Sequence, residues 1–167
     1  MDRNMFCFQC EQTAGCSACT GNAGVCGKKA DTANLQDQLT GALIGLAKDI
    51  NGNEKLMTEA TDKLVVEGLF STLTNVNFND ATLSAFIEKI AAEPYPMKEL
   101  WNANEDIRSL KSLILFGIRG LAAYAYHAKV LGYQNAEINR FFYKALSAIG
   151  MDDWGMEELL PIVLSWR

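Results

Sequence analysis

Hydrophobic residues recur every three or four positions along most of the chain after residue 30, and this spacing predicts α-helices. The first such stripe consists of Leu35, Leu39, Leu43, Leu46 and Ile50. Asp31 or Thr32 is the predicted N-cap of this helix, because a side-chain oxygen there accepts a backbone N–H bond. Asn51 and Gly52 are predicted to end the helix.

The same pattern predicts further helices. They cover about 53–69, Asn79 or Asp80 to Glu93, Asn104 to Gly132, Asn135 to Ile149, and about 154–164. Asn79 or Asp80 and Asn104 are the predicted N-caps of two of these helices. Residues 70–78 (FSTLTNVNF) and 93–96 (EPYP) are predicted breaks, since Asn, β-branched residues and proline disfavour helix. No segment predicts a strand. We therefore predict an all-α fold, a helical bundle preceded by an N-terminal Cys-rich loop.

The amino-acid composition changes near residue 30. Residues 1–30 contain all the cysteines and are predicted to form a binding loop, whereas residues 31–167 are predicted to form the bundle. A length of 167 residues, 49% of them hydrophobic, is sufficient for one core. We expect the two parts to make one domain together, with a subdivision near 94–104 as the alternative.

The charge and the hydropathy exclude several partners. A formal net charge of −5 and a pI of about 4.9 argue against nucleic acid, because phosphate binding needs clustered Lys and Arg. No apolar run reaches the ~18 residues of a membrane span, and no secretory signal is evident. We therefore expect a cytoplasmic protein with no membrane partner. In that reducing compartment, a cysteine cluster more often binds metal or performs redox chemistry than forms disulfides.

All cysteines of the chain lie between positions 7 and 26, with the spacing C-x2-C-x5-C-x2-C-x6-C. Structural zinc is less favoured, because its C-x2-C pairs are usually farther apart in sequence. A thioredoxin-type dithiol needs a βα context that the pattern does not predict. An iron–sulfur cluster fits best, because it takes four thiolates and prefers loops with free amides. The glycines of this loop are Gly15, Gly21, Gly24 and Gly27.

Several stretches carry a resemblance to a known family. They are MFCFQCEQTAG at 5–15, CTGNAGVCGK at 19–28, DTANLQD at 31–37, and the segments 70–78, 111–133 and 156–164. These stretches occur in the same order as in the family and cover nearly the whole chain. The sequence resembles the N-terminal domain of hybrid cluster proteins, also called prismane proteins or hydroxylamine reductases.

The resemblance implies a helical domain that binds a [4Fe-4S] cubane. The implied ligands are Cys7, Cys10, Cys19 and Cys26. Cys16 is left over, at a position where relatives often have a small residue. An alternative register uses Cys16 in place of Cys19. We favour Cys19, because CTGNAGVCGK matches the family pattern without a gap from that residue.

The resemblance also implies a role in electron transfer. In the family, the cubane passes electrons from an external donor to a second, hybrid cluster that reduces hydroxylamine or related nitrogen oxides. Later domains supply the His, Glu and Cys ligands of that cluster, whereas this chain has one histidine, His127, and no cysteine after Cys26. We therefore expect a shortened or divergent first domain, without catalytic residues or turnover of its own. Its redox donor is not identified by the sequence.

Two other functions stay open at this point. The same thiols would hold zinc, or no metal, in a structural module whose helices mediate association. Alternatively, Cys16 would act as a redox sensor that is oxidised or exchanged as a ligand. We also expect a homo-oligomer formed through exposed helix faces. The candidate residues for that surface are Leu159, Leu160, Ile162, Val163, Leu164 and Trp166.

A few side chains near the cysteines admit two interpretations. Lys28 and Lys29 are interpreted as a mixture of charge compensation for a cluster and simple solvation. Met1, Met5 and Phe6 are expected to shield the site from water. The single histidine is expected to be a core or interface residue, since no second histidine accompanies it.

Overall fold

The computed structural model describes residues 5–10 and 18–165, and within these residues the fold is all-α, as predicted. The helices are α1 (Ala30–Gly52), α2 (Glu59–Ser71), α3 (Asp80–Ile87), α4 (Met97–Asn102), α5 (Glu105–Val130), α6 (Ala136–Ile149) and α7 (Met156–Leu164), with a 3-10 turn at Glu54–Leu56. In this part of the chain, β-structure is limited to two isolated bridges, one joining Cys7 to Cys19 and one joining Ala23 to Lys29.

Helix α1 lies at the centre of the bundle. It packs against α2, α3 and α6, while α5 packs against α2, α6 and α7. The hydrophobic stripe predicted for α1 is confirmed, because Leu39, Leu43 and Ile50 are buried in the core. Burial of such a stripe removes apolar surface from water, which is the main free-energy gain of folding. The N-terminal end of this central helix therefore positions the cysteine loop that precedes it.

The connector between α3 and α4 lies directly on α1. The backbone N–H of Tyr95 donates to the carbonyl of Gly41 at 2.9 Å. A Cβ atom at Gly41 would overlap the carbonyl oxygen of Tyr95, and one at Gly45 would overlap that of Glu93. Glycine at these two positions therefore permits a backbone contact that a side chain would block.

Two predicted helix caps are confirmed and one is wrong. Asn79 and Asn104 each accept a backbone N–H at the start of a helix, as predicted. Asn135, predicted only as the start of its helix, is also an N-cap. The N-cap of α1, however, is Lys29, with no side-chain cap bond, so the prediction of Asp31 or Thr32 fails. The hydroxyl of Thr32 instead donates to Asp80 at 2.7 Å. A contact between α1 and α3 has replaced the local cap.

Other boundaries also differ from the prediction. The segment 53–69 contains a 3-10 turn followed by a separate helix, which begins after a capping box between Thr58 and Thr61. Helix α3 ends at Ile87 rather than Glu93. Helix α4 begins directly after the predicted break at 93–96 and was not predicted. The predicted domain boundaries, near residue 30 and near 94–104, stay predictions.

The expected exposure of α7 is wrong for two residues. Leu159 and Ile162 are buried in the core, so only part of the apolar residues of α7 face solvent. Leu160 and Leu164 are exposed as expected, and Trp166 lies outside the described residues. His127 is exposed, with its ring edge-on to Phe70, so it is not a core residue, and its role at an interface stays a prediction. Among the helices described, none is long and apolar enough to cross a membrane.

Candidate metal centre

Two of the candidate ligands face each other across a short backbone pair. The N–H of Cys7 donates to the carbonyl of Cys19 at 3.0 Å, and the N–H of Cys19 donates to the carbonyl of Cys7 at 2.8 Å. Met5 extends the pair with a bond to the carbonyl of Gly21 at 3.3 Å. Residues directly opposite in an antiparallel pair project their side chains to the same face. The two thiols therefore lie side by side, and both are buried.

Aromatic side chains fix the orientation of this segment. Phe6 and Phe8 flank Cys7, and both rings contact Trp101 of α4, with centroid distances of 5.2 and 5.0 Å. Because side chains alternate along an extended segment, Cys7 points away from Trp101. It joins a separate apolar cluster with Met5, Cys19 and Ala33 of α1. Helix α4, missed by the sequence analysis, thus holds the cysteine loop in place.

Cys26 returns to the same region through a tight turn. The N–H of Gly27 donates to the carbonyl of Gly24, and the N–H of Gly24 donates to the carbonyl of Lys28, both at 2.8 Å. Gly27 adopts a φ of 82°, a conformation that glycine accepts without strain. A Cβ atom on Gly24 would lie 3.4 Å from Cys26 Sγ and 3.2 Å from Met5 Cε. The glycine therefore allows Cys26 to approach the apolar cluster around Met5.

The pKa of the Cys7 thiol depends on the charges around it, including that of Cys10. Burial raises the pKa of the Cys7 thiol, and the charges of Asp37 and Cys10 raise it further. The backbone N–H of Gln9 and the Lys28 ammonium act in the opposite direction on that pKa. The Nζ atom of Lys28 lies 3.9 Å from Cys7 Sγ. The thiolate form of Cys7, which is the metal-binding form, therefore depends on nearby positive charge.

A group of buried polar side chains lies beneath the thiols. The Gln9 side-chain amide donates to Asp37 of α1, and Arg119 of α5 donates to Thr72 and Thr40 at 2.9 and 3.0 Å. Desolvation raises the pKa of Asp37 to about 6, although Gln9 and Arg119 oppose the shift. Burial lowers the pKa of Arg119 to about 10, and negative charge on Asp37, Cys7 and Cys10 opposes this shift.

Sequence reasoning overlooked Arg119 as a part of the site. In the sequence, the residue interrupts the apolar run LILFGIRGLAAYAY. A charged residue inside such a run is expensive to bury unless a partner compensates it, so it indicates a buried polar site. That signal was present in the sequence, but the identity of the partners depended on α1 and α2.

The structure thus brings the predicted ligands into one region without closing a site for a single ion. Cys7 and Cys19 are paired, Cys10 lies within electrostatic range of Cys7, and Cys26 approaches Gly24. Within residues 5–10 and 18–165, no three His, Cys, Asp or Glu side chains converge closely enough to hold one metal ion. Cys16 lies outside the described residues.

Comparison with known proteins identifies the family of this chain. The model of the prismane/CO dehydrogenase family matches residues 5–164. The match covers almost the entire chain, so the protein belongs to that family. The resemblance to hybrid cluster proteins inferred from the sequence is confirmed at this level.

Several curated relatives carry the name hydroxylamine reductase. The protein from Desulfitobacterium hafniense (strain Y51) is 36% identical over 96% of this chain, and the one from Porphyromonas gingivalis (strain ATCC BAA-308 / W83) is 37% identical over 98%. The relative from Clostridium novyi (strain NT) is 36% identical over 96% of the chain. In each case the match covers 36% of the relative, so this chain spans about a third of the length of these proteins.

Proposed function

We propose that this chain holds a [4Fe-4S] cluster through Cys7, Cys10, Cys19 and Cys26 and transfers electrons through it. The observation that carries the proposal is the backbone pair between Cys7 and Cys19, which sets two buried thiols side by side. When bound, such a cluster supplies one-electron redox chemistry. The protein would supply the thiolates, an apolar surrounding and nearby positive charge.

The two centres that four thiolates can hold differ in geometry. In a four-iron cluster each thiolate binds a different iron atom, so the sulfurs surround a volume instead of converging on a point. A tetrahedral zinc site requires the four sulfurs at bonding distance from one centre. Among the described residues no three ligand side chains converge on one point. Gly24 leaves space beside Cys26, because a Cβ atom at that position would lie 3.4 Å from Cys26 Sγ.

The position of Cys19 supports its choice over Cys16. Cys19 is buried, and it is directly opposite Cys7 in the backbone pair. A ligand at that position shares the face of the loop on which Cys7 lies. Cys16 therefore takes no part in the proposed ligand set.

Family membership supports the proposed role. Members of the prismane family bind iron–sulfur clusters, and the matched relatives are named hydroxylamine reductases. We place this chain in the electron-transfer part of such an enzyme, where it receives single electrons from a redox donor. The acceptor would be the hybrid cluster, held by residues outside the third of the relatives that this chain matches.

Anaerobic purification from iron-supplemented cells tests the proposal. We expect about four iron and four sulfide per chain, together with a signal in electron paramagnetic resonance spectra after reduction. Cys19→Ser should lose most of the iron, whereas the matched control Cys16→Ser should retain it. Iron loss in Cys16→Ser with retention in Cys19→Ser would reverse the ligand assignment. One equivalent of zinc without iron would replace the proposal with a structural zinc module.

A further inference from the structure

Two consecutive lysines at the end of the cysteine loop have opposite environments. Lys28 is buried, with a relative exposure of 2%, whereas Lys29 is exposed. The Nζ atom of Lys28 lies 3.9 Å from Cys7 Sγ. The sequence analysis interpreted both lysines alike, as partly compensating and partly solvated, whereas the structure separates them. One ammonium group is enclosed beside a proposed ligand sulfur, and its neighbour is solvated.

The contacts of Lys28 differ from those of the other buried lysine. Lys111 is equally buried, but it donates to the carbonyl of Met151 at 2.9 Å and lies 3.9 Å from a carboxylate oxygen of Asp152. Those oxygens compensate its charge. Among the described residues, the side chain that the Lys28 ammonium group contacts is the thiol of Cys7. A buried ammonium group needs an anionic partner, because removal of a charge from water is costly.

The other charges of the described residues near the thiols do not balance Lys28. Arg119 is also buried, and it interacts electrostatically with Asp37 as well as with Cys7 and Cys10. Within residues 5–10 and 18–165, Lys28 and Arg119 share one nearby carboxyl group, Asp37. In this part of the chain, two cations against one carboxyl group leave an excess of positive charge beside the cysteines. A cluster held by four thiolates carries net negative charge, so it would compensate this excess.

We propose that Lys28 is the charge-compensating residue of the centre, whose buried ammonium group sets the reduction potential of a cluster bound at Cys7. This inference rests on the proposed function, because it requires a cluster at that site. Reduction adds one negative charge to the cluster. A buried cation beside a ligand sulfur stabilises the reduced form more than the oxidised form, and solvent screens it little. Lys28 therefore raises the reduction potential.

Three variants separate charge from packing. Lys28→Met removes the charge but retains an unbranched side chain, Lys28→Arg retains the charge, and Lys29→Met removes the same charge one residue further along. We expect all four proteins, wild type included, to hold iron and sulfide. In titrations followed by electron paramagnetic resonance, the potential of Lys28→Met should be lower than that of the wild type. Lys28→Arg and Lys29→Met should remain close to the wild type.

Urea unfolding of the metal-free proteins provides a readout independent of the cluster. Without a cluster, the buried ammonium group lacks its proposed counter-charge. The urea midpoint of metal-free Lys28→Met should therefore be equal to or higher than that of metal-free Lys29→Met. If Lys28→Met lowers the midpoint of the metal-free protein as a packing mutation does, the proposal is wrong.

The remaining outcomes are also decisive. A potential for Lys28→Met equal to that of Lys29→Met overturns the inference while the proposed function stands. Lys28→Met could also lose its iron. In that case, iron that is retained by Lys28→Arg supports the role of charge. Iron loss in both variants assigns Lys28 to packing and overturns the inference. A wild-type protein without iron or sulfide refutes the proposed function itself, and the inference with it.

Discussion

The side-chain amide of Gln9 donates a hydrogen bond to the carboxyl group of Asp37, and this bond joins the cysteine loop to helix α1. Gln9 lies between Cys7 and Cys10, and its own side-chain oxygen is buried without a partner among the described residues. Asp37 in turn interacts electrostatically with Arg119 and Lys28. The loop is therefore attached to the bundle by a polar contact whose strength depends on the charge of Asp37.

This contact predicts a pH dependence of stability in the metal-free protein. Desolvation raises the pKa of Asp37 to about 6, above the usual value for an aspartate. The folded state thus binds more protons than the unfolded state between about pH 4 and pH 6, so this contribution to stability is lost as the pH rises through that window. Asp37→Asn should be more stable than the wild type by about 2–3 kcal/mol at pH 7.5 and nearly equal to it at pH 4.

Urea unfolding at the two pH values measures the difference, and Asp49→Asn is the matched control. Asp49 lies on the same helix but is exposed. Its substitution should leave the difference between the two pH values as in the wild type. If the difference in unfolding free energy between Asp37→Asn and the wild type is the same at pH 4 and pH 7.5, the prediction is wrong.

Gly45 predicts a steric effect on stability. Alanine at this position would drive its Cβ into the carbonyl oxygen of Glu93, so the connector would have to move away from α1. We expect Gly45→Ala to lower the free energy of unfolding by about 2–3 kcal/mol. Gly120→Ala on α5 is the control, because a Cβ there meets no atom within 4 Å. That variant should gain roughly 0.5–1 kcal/mol from helix propensity. Equal effects of the two substitutions in urea unfolding would refute the role of the close contact.

The hydrogen bond between Tyr143 and Asp62 predicts a second effect on stability. The Tyr143 hydroxyl donates to Asp62 at 2.6 Å, and Asn139 donates to the other carboxylate oxygen at 2.8 Å. Tyr143→Phe removes one of these donors from a partly buried carboxylate and should cost about 1–2 kcal/mol. Tyr124→Phe, at a residue that is 79% exposed, should leave the unfolding free energy unchanged. If Tyr143→Phe leaves the free energy of unfolding unchanged, water replaces the lost hydroxyl.

The exposed face of α7 predicts self-association. Met156, Leu160 and Leu164 are spaced four residues apart, so they share one side of the helix, and all three are exposed. We expect sedimentation velocity to show a concentration-dependent oligomer, and the double variant Leu160→Glu/Leu164→Glu to be more monomeric. Leu56→Glu, at an exposed residue of the 3-10 turn, should behave as the wild type does. A wild-type protein that stays monomeric at all concentrations would exclude this surface as an interface.

The sequence by itself determined the elements whose signals are local. The hydrophobic stripe of α1 and the caps Asn79 and Asn104 formed as predicted, because a periodic face and a capping side chain act within one or two turns of helix. The sequence motifs likewise identified the family, whereas the choice of ligands from the cysteine spacing stays a prediction.

The tertiary structure decided the hydrogen bonds and the burial of side chains whose partners are distant in sequence. Thr32 is not an N-cap, because its hydroxyl binds Asp80, which lies 48 residues further along. Arg119 is tolerated in the core because Thr72 and Thr40, on two other segments, accept its hydrogen bonds. Lys28 and Lys29 are adjacent identical residues, and only the packing of the loop on α1 encloses one and leaves the other in solvent. Burial and charge compensation are properties of the assembled fold, so the composition of the loop alone could not assign them.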